Sequence, residues 1–286
     1  MKKILFTCII LLALTTSLHA SQSVITEIEG TACMGDDKSR KETELLAQKE
    51  ATRRAAEYAA TYIKSETHVK DSALESDLIS AYANAKVTVL QELEKGWYKD
   101  QTSGECYRSK LKVEVLPDQK AISRATEKTM ADDPAAPLNV KVWTDQKKYK
   151  KGQQIKIYLK GNKPFYGRVV YKDTEGKLVQ LLPNLYRKDN YFNGGTNYEL
   201  PGNGDRYDLE VTPPFGREGV TVYASTSPLG DIETTSSGGV FQINTKPQDV
   251  SAGTRGVKIT GKGSGSTNTP PTAEFNESKA EVTTAK

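Results

Sequence analysis

The sequence predicts two units of different class. The first is an α+β domain with two helices on a small antiparallel sheet; the second is an all-β, sandwich-like domain that ends in a disordered tail. Three observations carry this expectation. Helical stretches rich in Ala, Glu, Lys and Arg stop at about Met130. From Leu138 to Ala224 the chain changes to short alternating runs separated by Gly and Pro. After Gly261 large apolar residues almost vanish. The length of 286 residues suits two domains.

The elements are justified in order. Lys2 and Lys3 precede an apolar stretch from Ile4 to Leu14, and Ser17-Leu18-His19-Ala20 ends on a small residue. This is the layout of a cleaved signal peptide over residues 1–20, and Cys8 would leave with it. The stretch is too short to cross about 30 Å of hydrocarbon. An exported protein is expected, periplasmic or otherwise outside the cytoplasm, with no transmembrane helix.

Residues 21–116 form the expected α+β domain. Val24 to Ala32 mixes β-branched and charged residues in rough alternation and predicts a strand. Gly35-Asp36-Asp37 breaks it, and Asp37 is placed to cap a helix from Lys41 to Lys64. Leu45, Thr52, Ala55, Ala59 and Tyr62 share one side of that helix, so its small residues allow close packing. A second helix is expected over Glu75–Asn84, with Leu74, Leu78, Ile79 and Tyr82 inward. Lys86–Tyr98 and Cys106–Val115 then predict a hairpin around the turn Lys99–Gly104. Cys33 and Cys106 most simply make one disulfide in an oxidising compartment, the alternative being two buried thiols. Such a bridge would close a long loop, worth up to about 4 kcal/mol.

Residues 117–137 are expected to be a linker, with a short helical segment (Ala121–Met130) before Ala131-Asp132-Asp133-Pro134-Ala135-Ala136-Pro137. The sandwich follows over residues 138–262. Its expected strands lie at Val140–Trp143, Gln154–Leu159, Gly167–Tyr171, Lys177–Leu182, Tyr207–Val211 and Gly219–Ala224, with an edge strand at Thr254–Thr260. The expected disordered tail is 263–286.

Chemistry is sparse. After the signal peptide the only histidine is His68, which excludes the usual Ser-His-Asp and Cys-His mechanisms and multi-histidine metal sites. No Cys-x-x-Cys spacing, phosphate loop or dinucleotide fingerprint occurs. Asp36-Asp37 and Asp132-Asp133 suit capping and linker solubility better than a catalytic dyad. Asn190, Asn193, Asn203, Asp205 and Asp208 offer hard oxygens, but without a known calcium-loop pattern. No catalytic residue, cofactor or metal is therefore expected. With 40 Lys and Arg against 36 Asp and Glu, no global field points to nucleic acid, and membrane contact is expected only indirectly.

What remains is a set of aromatics in or beside the sandwich turns: Phe165, Tyr166, Tyr186, Tyr191, Phe192, Tyr198 and Phe215. They either cap the ends of the core or form a partner or glycan surface. Tyr191, Phe192 and Phe215 are the candidate partner-binding residues.

Two stretches resemble known families. Tyr149-x-x-Gly152, Leu181-Leu182-Pro183-Asn184, Asn193-Gly194-Gly195, Pro201, Pro214-Phe215-Gly216-Arg217-Glu218 and Ala224-Ser225-Thr226-Ser227-Pro228-Leu229 occur in the order of the bacterial domain of unknown function 4384. That resemblance implies a β-sandwich-like module of signalling and exported envelope proteins, with no assigned catalytic residues. The first domain resembles the N-terminal domain of flagellar assembly protein T and related small outer-membrane lipoproteins. The residues that carry this are Glu29-Gly30-Thr31-Ala32, the Ala-rich stretch Ala47–Ala60, Thr67-His68-Val69 and Leu111-Lys112-Val113-Glu114-Val115. It implies a role in envelope assemblies through protein–protein contact. The chain lacks the lipid-attachment cysteine of those relatives. The functional expectation is a non-enzymatic, exported scaffold or adaptor that binds envelope proteins; the alternative is a carbohydrate-binding module for peptidoglycan or surface polysaccharide.

Overall fold

A computed structural model describes residues 21–66, 72–118, 120–122, 132–237, 240–256 and 272–286. The expected signal peptide, His68, most of the expected 121–130 helix, residues 257–260 of the expected edge strand and residues 263–271 of the expected tail lie outside them.

The chain begins with β1 (Ser21–Cys33), then two helices, α1 (Arg40–Glu66) and α2 (Ser72–Ala83), and the hairpin β2 (Lys86–Asp100) and β3 (Gly104–Leu116). Helix α1 starts at a capping box, not at Asp37. Ser39 Oγ accepts from the Glu42 N–H at 3.3 Å, and the Ser39 N–H donates to the Glu42 carboxylate at 2.8 Å. The buried side of α1 is Thr43, Ala47, Ala51, Ala55, Ala59 and Ile63, a strict four-residue stripe, while Leu45 faces solvent. Gly30 on β1 is the reason. A Cβ there would sit 2.2 Å from the Ala47 carbonyl oxygen, so helix and strand touch backbone to backbone. With Leu78, Ala81 and Tyr82 of α2, this stripe covers Val24, Ile28, Leu111, Val113 and Val115 of β1 and β3.

Further along come β4 (Val140–Thr144), β5 (Lys148–Lys150), β6 (Ile157–Gly161), β7 (Phe165–Lys172), β8 (Leu178–Leu182), β9 (Tyr191–Phe192), β10 (Tyr198–Leu200) and β11 (Arg217–Ser225). The expected strand at Tyr207–Val211 is reduced to one bridge, Gln154 to Glu210. Strands β4, β6 and β10 form a small sheet. It packs against β7 and β11 through Val140, Ile157, Leu159, Phe165, Val220 and Val222. This is the expected sandwich.

The remainder departs from expectation. After β12 (Thr234–Ser237) and β13 (Val240–Ile243), residues Pro247–Arg255 form a helix, α3, where an edge strand was expected to begin. Thr272–Ala285, read as disordered tail, is strand β14. It runs antiparallel to β1 over Ser21–Thr26 and to β11 over Arg217–Ser225. A single sheet in the order β12-β13-β8-β7-β11-β14-β1-β3-β2 therefore passes through both expected units. The α+β layout is present, but its sheet is neither small nor separate. Low apolar content was a poor guide because the polar side chains of β14 find partners inside the fold. Glu274 accepts from the Leu138 N–H and pairs with Lys163 at 3.0 Å, and Asn276 accepts from the Val140 N–H at 3.2 Å. On the sheet face away from α1, α3 places Val250 over Ile25, Ala273 and Phe275. Its last residue, Arg255, bonds Glu114 at 2.6 Å and Glu277 at 3.1 Å.

The described end of the expected linker is pinned as well. Asn162 Nδ2 donates to the carbonyls of Asp133, Ala136 and Pro137, and Ala136 is fully buried. Cys33 and Cys106 face each other across the β1–β3 pair and are joined by a disulfide. No helix among the described residues is long and apolar enough to cross a membrane.

Candidate functional site

The structure separates the three candidate aromatics. In the two-residue strand β9, successive side chains point to opposite faces. Tyr191 is 43% exposed and lies edge-on to Tyr166 at 5.1 Å. Phe192 is fully buried, stacked on Phe165 at 5.0 Å and edge-on to Tyr198 at 4.9 Å. Phe215 is partly buried against the same core. Phe192 is therefore closed to solvent, Phe215 is partly open and Tyr191 is exposed. Tyr186, 56% exposed and stacked on Tyr207, is the other open ring of these loops.

Of the candidate calcium ligands, Asp205 is committed to local contacts. Asp205 accepts from the Gly202 N–H at 2.8 Å and pairs with Arg187 at 3.2 Å, so it closes its own turn. Among the described residues there is no group of three or more His, Cys, Asp or Glu that could hold a metal. A groove of about 460 Å³ lies over Gly219 and Thr221, rimmed by Lys172, Arg217, Lys279 and Glu281. Its charges are mixed, and Lys279 is held by Glu277 at 2.9 Å.

A further candidate surface is the outer edge of β2. This strand ends the large sheet, and among the described residues nothing pairs with its second side. Its pairing with β3 slips at Leu90 and again at Leu93, two bulges that spoil the first half as a template. From Glu94 to Asp100 the register against Lys110–Gly104 is unbroken. Sequence signals for this were present: alternation fails across Leu90-Gln91-Glu92-Leu93, charges crowd the strand, and a glycine sits inside it.

Both faces of this regular edge are furnished. On the side of α1, Trp97 packs on Tyr107 at 5.2 Å, lies under the Arg40 guanidinium at 4.8 Å, and donates from Nε1 to Glu44 at 3.2 Å. Lys95 pairs with Glu92 at 2.7 Å, which raises its pKa. On the other face, rows across β1, β3 and β2 read Glu29-Lys110-Glu94, Thr31-Arg108-Gly96 and Cys33-Cys106-Tyr98. Lys110 pairs with Glu27 at 3.2 Å, while Arg108 is only loosely held by Glu29 at 4.0 Å. Burial lowers the pKa of the neighbouring Lys112 amine, against the pull of Glu27. Gly96 leaves a notch: a Cβ there would meet nothing within 4 Å. A groove of about 420 Å³ runs over the edge here, lined by Lys95 and Trp97 from the α1 face and by Glu94, Tyr98 and Arg108 from the other. At the hairpin turn, Asp100 accepts from Thr102 and Ser103, which holds its pKa down at about 2 and keeps the carboxylate ionised.

Comparison with known proteins reaches one part of the chain. Residues 148–228 match a family described as Domain of unknown function (DUF4384), which covers β5 to β11. The resemblance of residues 21–116 to flagellar assembly protein T finds no support. No curated protein matches the chain.

Proposed function

We propose that this chain is an exported scaffold or adaptor of the bacterial cell envelope that works by binding protein along the outer edge of β2. The free, regular main chain from Glu94 to Asp100 carries this reading. An extended segment laid on it would gain backbone hydrogen bonds of about 0.5–1.5 kcal/mol each. The disulfide and the Trp97 cluster brace that edge before binding, which lowers the ordering cost of association. Export is supported by the leader-like first twenty residues and by the disulfide itself.

The test is photo-crosslinking in intact cells, with the reactive residue placed at Tyr98 or at Tyr186, followed by affinity purification and mass spectrometry. Adducts from Tyr98, in fixed ratio to one envelope protein or to the chain itself, are expected. Adducts from Tyr186 alone would move the contact to the sandwich loops and sink the β2 reading.

One observation favours a glycan-binding reading. Trp143 and Tyr158 lie stacked at 5.7 Å and 17° on the outer face of the small sheet, and Trp143 is 38% exposed. Pull-down on peptidoglycan with Trp143→Ala as control tests it; retention of that variant would remove Trp143 from consideration.

A further inference from the structure

We infer that the occupant of the β2 edge is a second copy of this chain, paired antiparallel through β2 about a two-fold axis at Tyr98. This rests on the reading that the β2 edge is the contact, and it names the partner.

Symmetry restricts the possibilities. When identical antiparallel strands pair about a two-fold axis perpendicular to the sheet, each face continues into the same face of its partner. The axis must then pass through a residue, not between two. Inside the regular segment, centring on Glu94, Lys95, Lys99 or Asp100 sets a charge opposite its own copy, which leaves three centres: Gly96, Trp97 and Tyr98. Centring on Trp97 sets Lys95 opposite Lys99 and Glu94 opposite Asp100, two kinds of like-charge pair, each made twice. Centring on Gly96 sets Glu92 opposite Asp100 and runs into the bulge at Leu93. Centring on Tyr98 leaves no like-charge pair.

That register also supplies what the edge lacks. On the face of α1, Lys99 of one copy lies opposite Trp97 of the other, a cation beside an indole. On the other face the exposed Tyr98 rings meet at the axis. Asp100 of the second copy stands opposite Gly96, on the same face, with Oδ1 engaged in its own turn and Oδ2 left for a further donor. Behind the notch is Arg108, whose nearest carboxylate in its own chain is the loosely placed Glu29. The second copy therefore brings a carboxylate towards a guanidinium across a position without a side chain. Each contact is made twice. The overlap is short, so association is weak and concentration-dependent.

The experiment is analytical ultracentrifugation of the mature, oxidised protein over a concentration series, with Arg108→Glu and Gly96→Val. Wild type is expected to show a monomer–dimer equilibrium. Arg108→Glu faces Asp100 twice with the wrong sign, and Gly96→Val fills the notch; each should lower the association constant about tenfold or more with an unchanged melting temperature. Lys188→Glu, a charge reversal of the same kind on an exposed loop of the sandwich, lies outside the contacts of this register and should leave the dimer intact. A wild type that stays monomeric at its highest soluble concentration overturns the inference, as does a dimer that ignores both substitutions. If wild type is monomeric while Tyr98 still crosslinks to another envelope protein, the scaffold reading stands and only the identity of the occupant falls. If Tyr98 crosslinks to nothing, both fall.

Discussion

Strands β14 and β2 are nearly equal in length, 14 and 15 residues, and their environments are the reverse of what their sequences suggest. Strand β14 reads Thr-Ala-Glu-Phe-Asn-Glu-Ser-Lys-Ala-Glu-Val-Thr-Thr-Ala and looks soluble and unstructured. It lies in the middle of the large sheet with Glu274 and Asn276 buried. Strand β2 contains Val, Leu, Trp and Tyr and looks like sheet interior, yet it forms the outer edge and leaves Val89 and Tyr98 exposed. Polarity of a strand therefore does not decide its place. What decides it is whether the rest of the chain supplies partners for its polar groups. For β14 those partners are Lys163, Leu138, Val140 and Arg255; for β2 the described residues supply only one side.

The largest effect expected from this contrast comes from removing β14. A chain ending at Gly256 loses the strand between β1 and β11 and exposes the cores beneath Phe275 and Val282. Circular-dichroism melting should show no cooperative transition, whereas loss of a true tail would leave the melting temperature unchanged.

Next in size is Arg255→Ala. Arg255 is largely buried, stacks on Phe275 at 4.8 Å and pairs with the buried Glu114 and the partly buried Glu277. Removing it leaves buried Glu114 without its cation and Glu277 with Lys279 alone, and urea unfolding should register a loss of about 3 kcal/mol.

Glu277→Gln tests the same cluster by pH. Burial works against ionisation of Glu277, but Lys279, Arg255 and Ser251 prevail and hold its pKa below the ordinary carboxylate range. A depressed folded pKa contributes stability in full above the unfolded value, and the contribution disappears as pH falls through the folded one. The substitution should therefore cost about 2 kcal/mol at pH 7, and the difference from wild type should close on acidification below pH of about 4. Glu274 has the opposite sign. Full burial raises its pKa despite Lys163, so its contribution weakens as pH rises from the carboxylate range upward. Parallel denaturation curves of the two Gln variants should diverge in opposite directions with pH.

How much of this was legible in the sequence follows the range of the interactions. Helices α1 and α2, the β2–β3 hairpin and the sandwich strands β4, β7, β8 and β11 are written in local periodicity, whereas α3 is not. The capping box of Ser39 and Glu42 was also readable, and it, not Asp37, starts α1. The place of β14 was hidden because its key partners lie far away in sequence: Leu138 and Val140 are each 136 residues from their β14 acceptors, Glu274 and Asn276. Within the candidate site, Cys33 and Cys106 were identifiable as a pair. That Phe192 turns inward and Tyr191 outward was not legible, because a two-residue strand carries too little pattern to show which side chain faces the core. The β2 edge lay between these cases: its broken alternation and Gly96 were visible, but an edge is a property of the whole sheet order.

The smallest expected effect sharpens the comparison from the other side. Tyr98→Ser sits on a strand with one neighbour, its ring 42% exposed and opposite the disulfide. A substitution of this kind on β14 would open a buried seam. On β2 the monomer has little to lose, and its unfolding midpoint should move by less than about 0.5 kcal/mol. The same change removes the ring placed at the proposed two-fold axis. If Tyr98→Ser leaves urea unfolding of the dilute protein untouched and abolishes Tyr98-dependent association, the exposed face of β2 serves a partner. A large loss of monomer stability would instead mean that Tyr98 is held by the chain's own fold, and the contrast between the two strands would lose its basis.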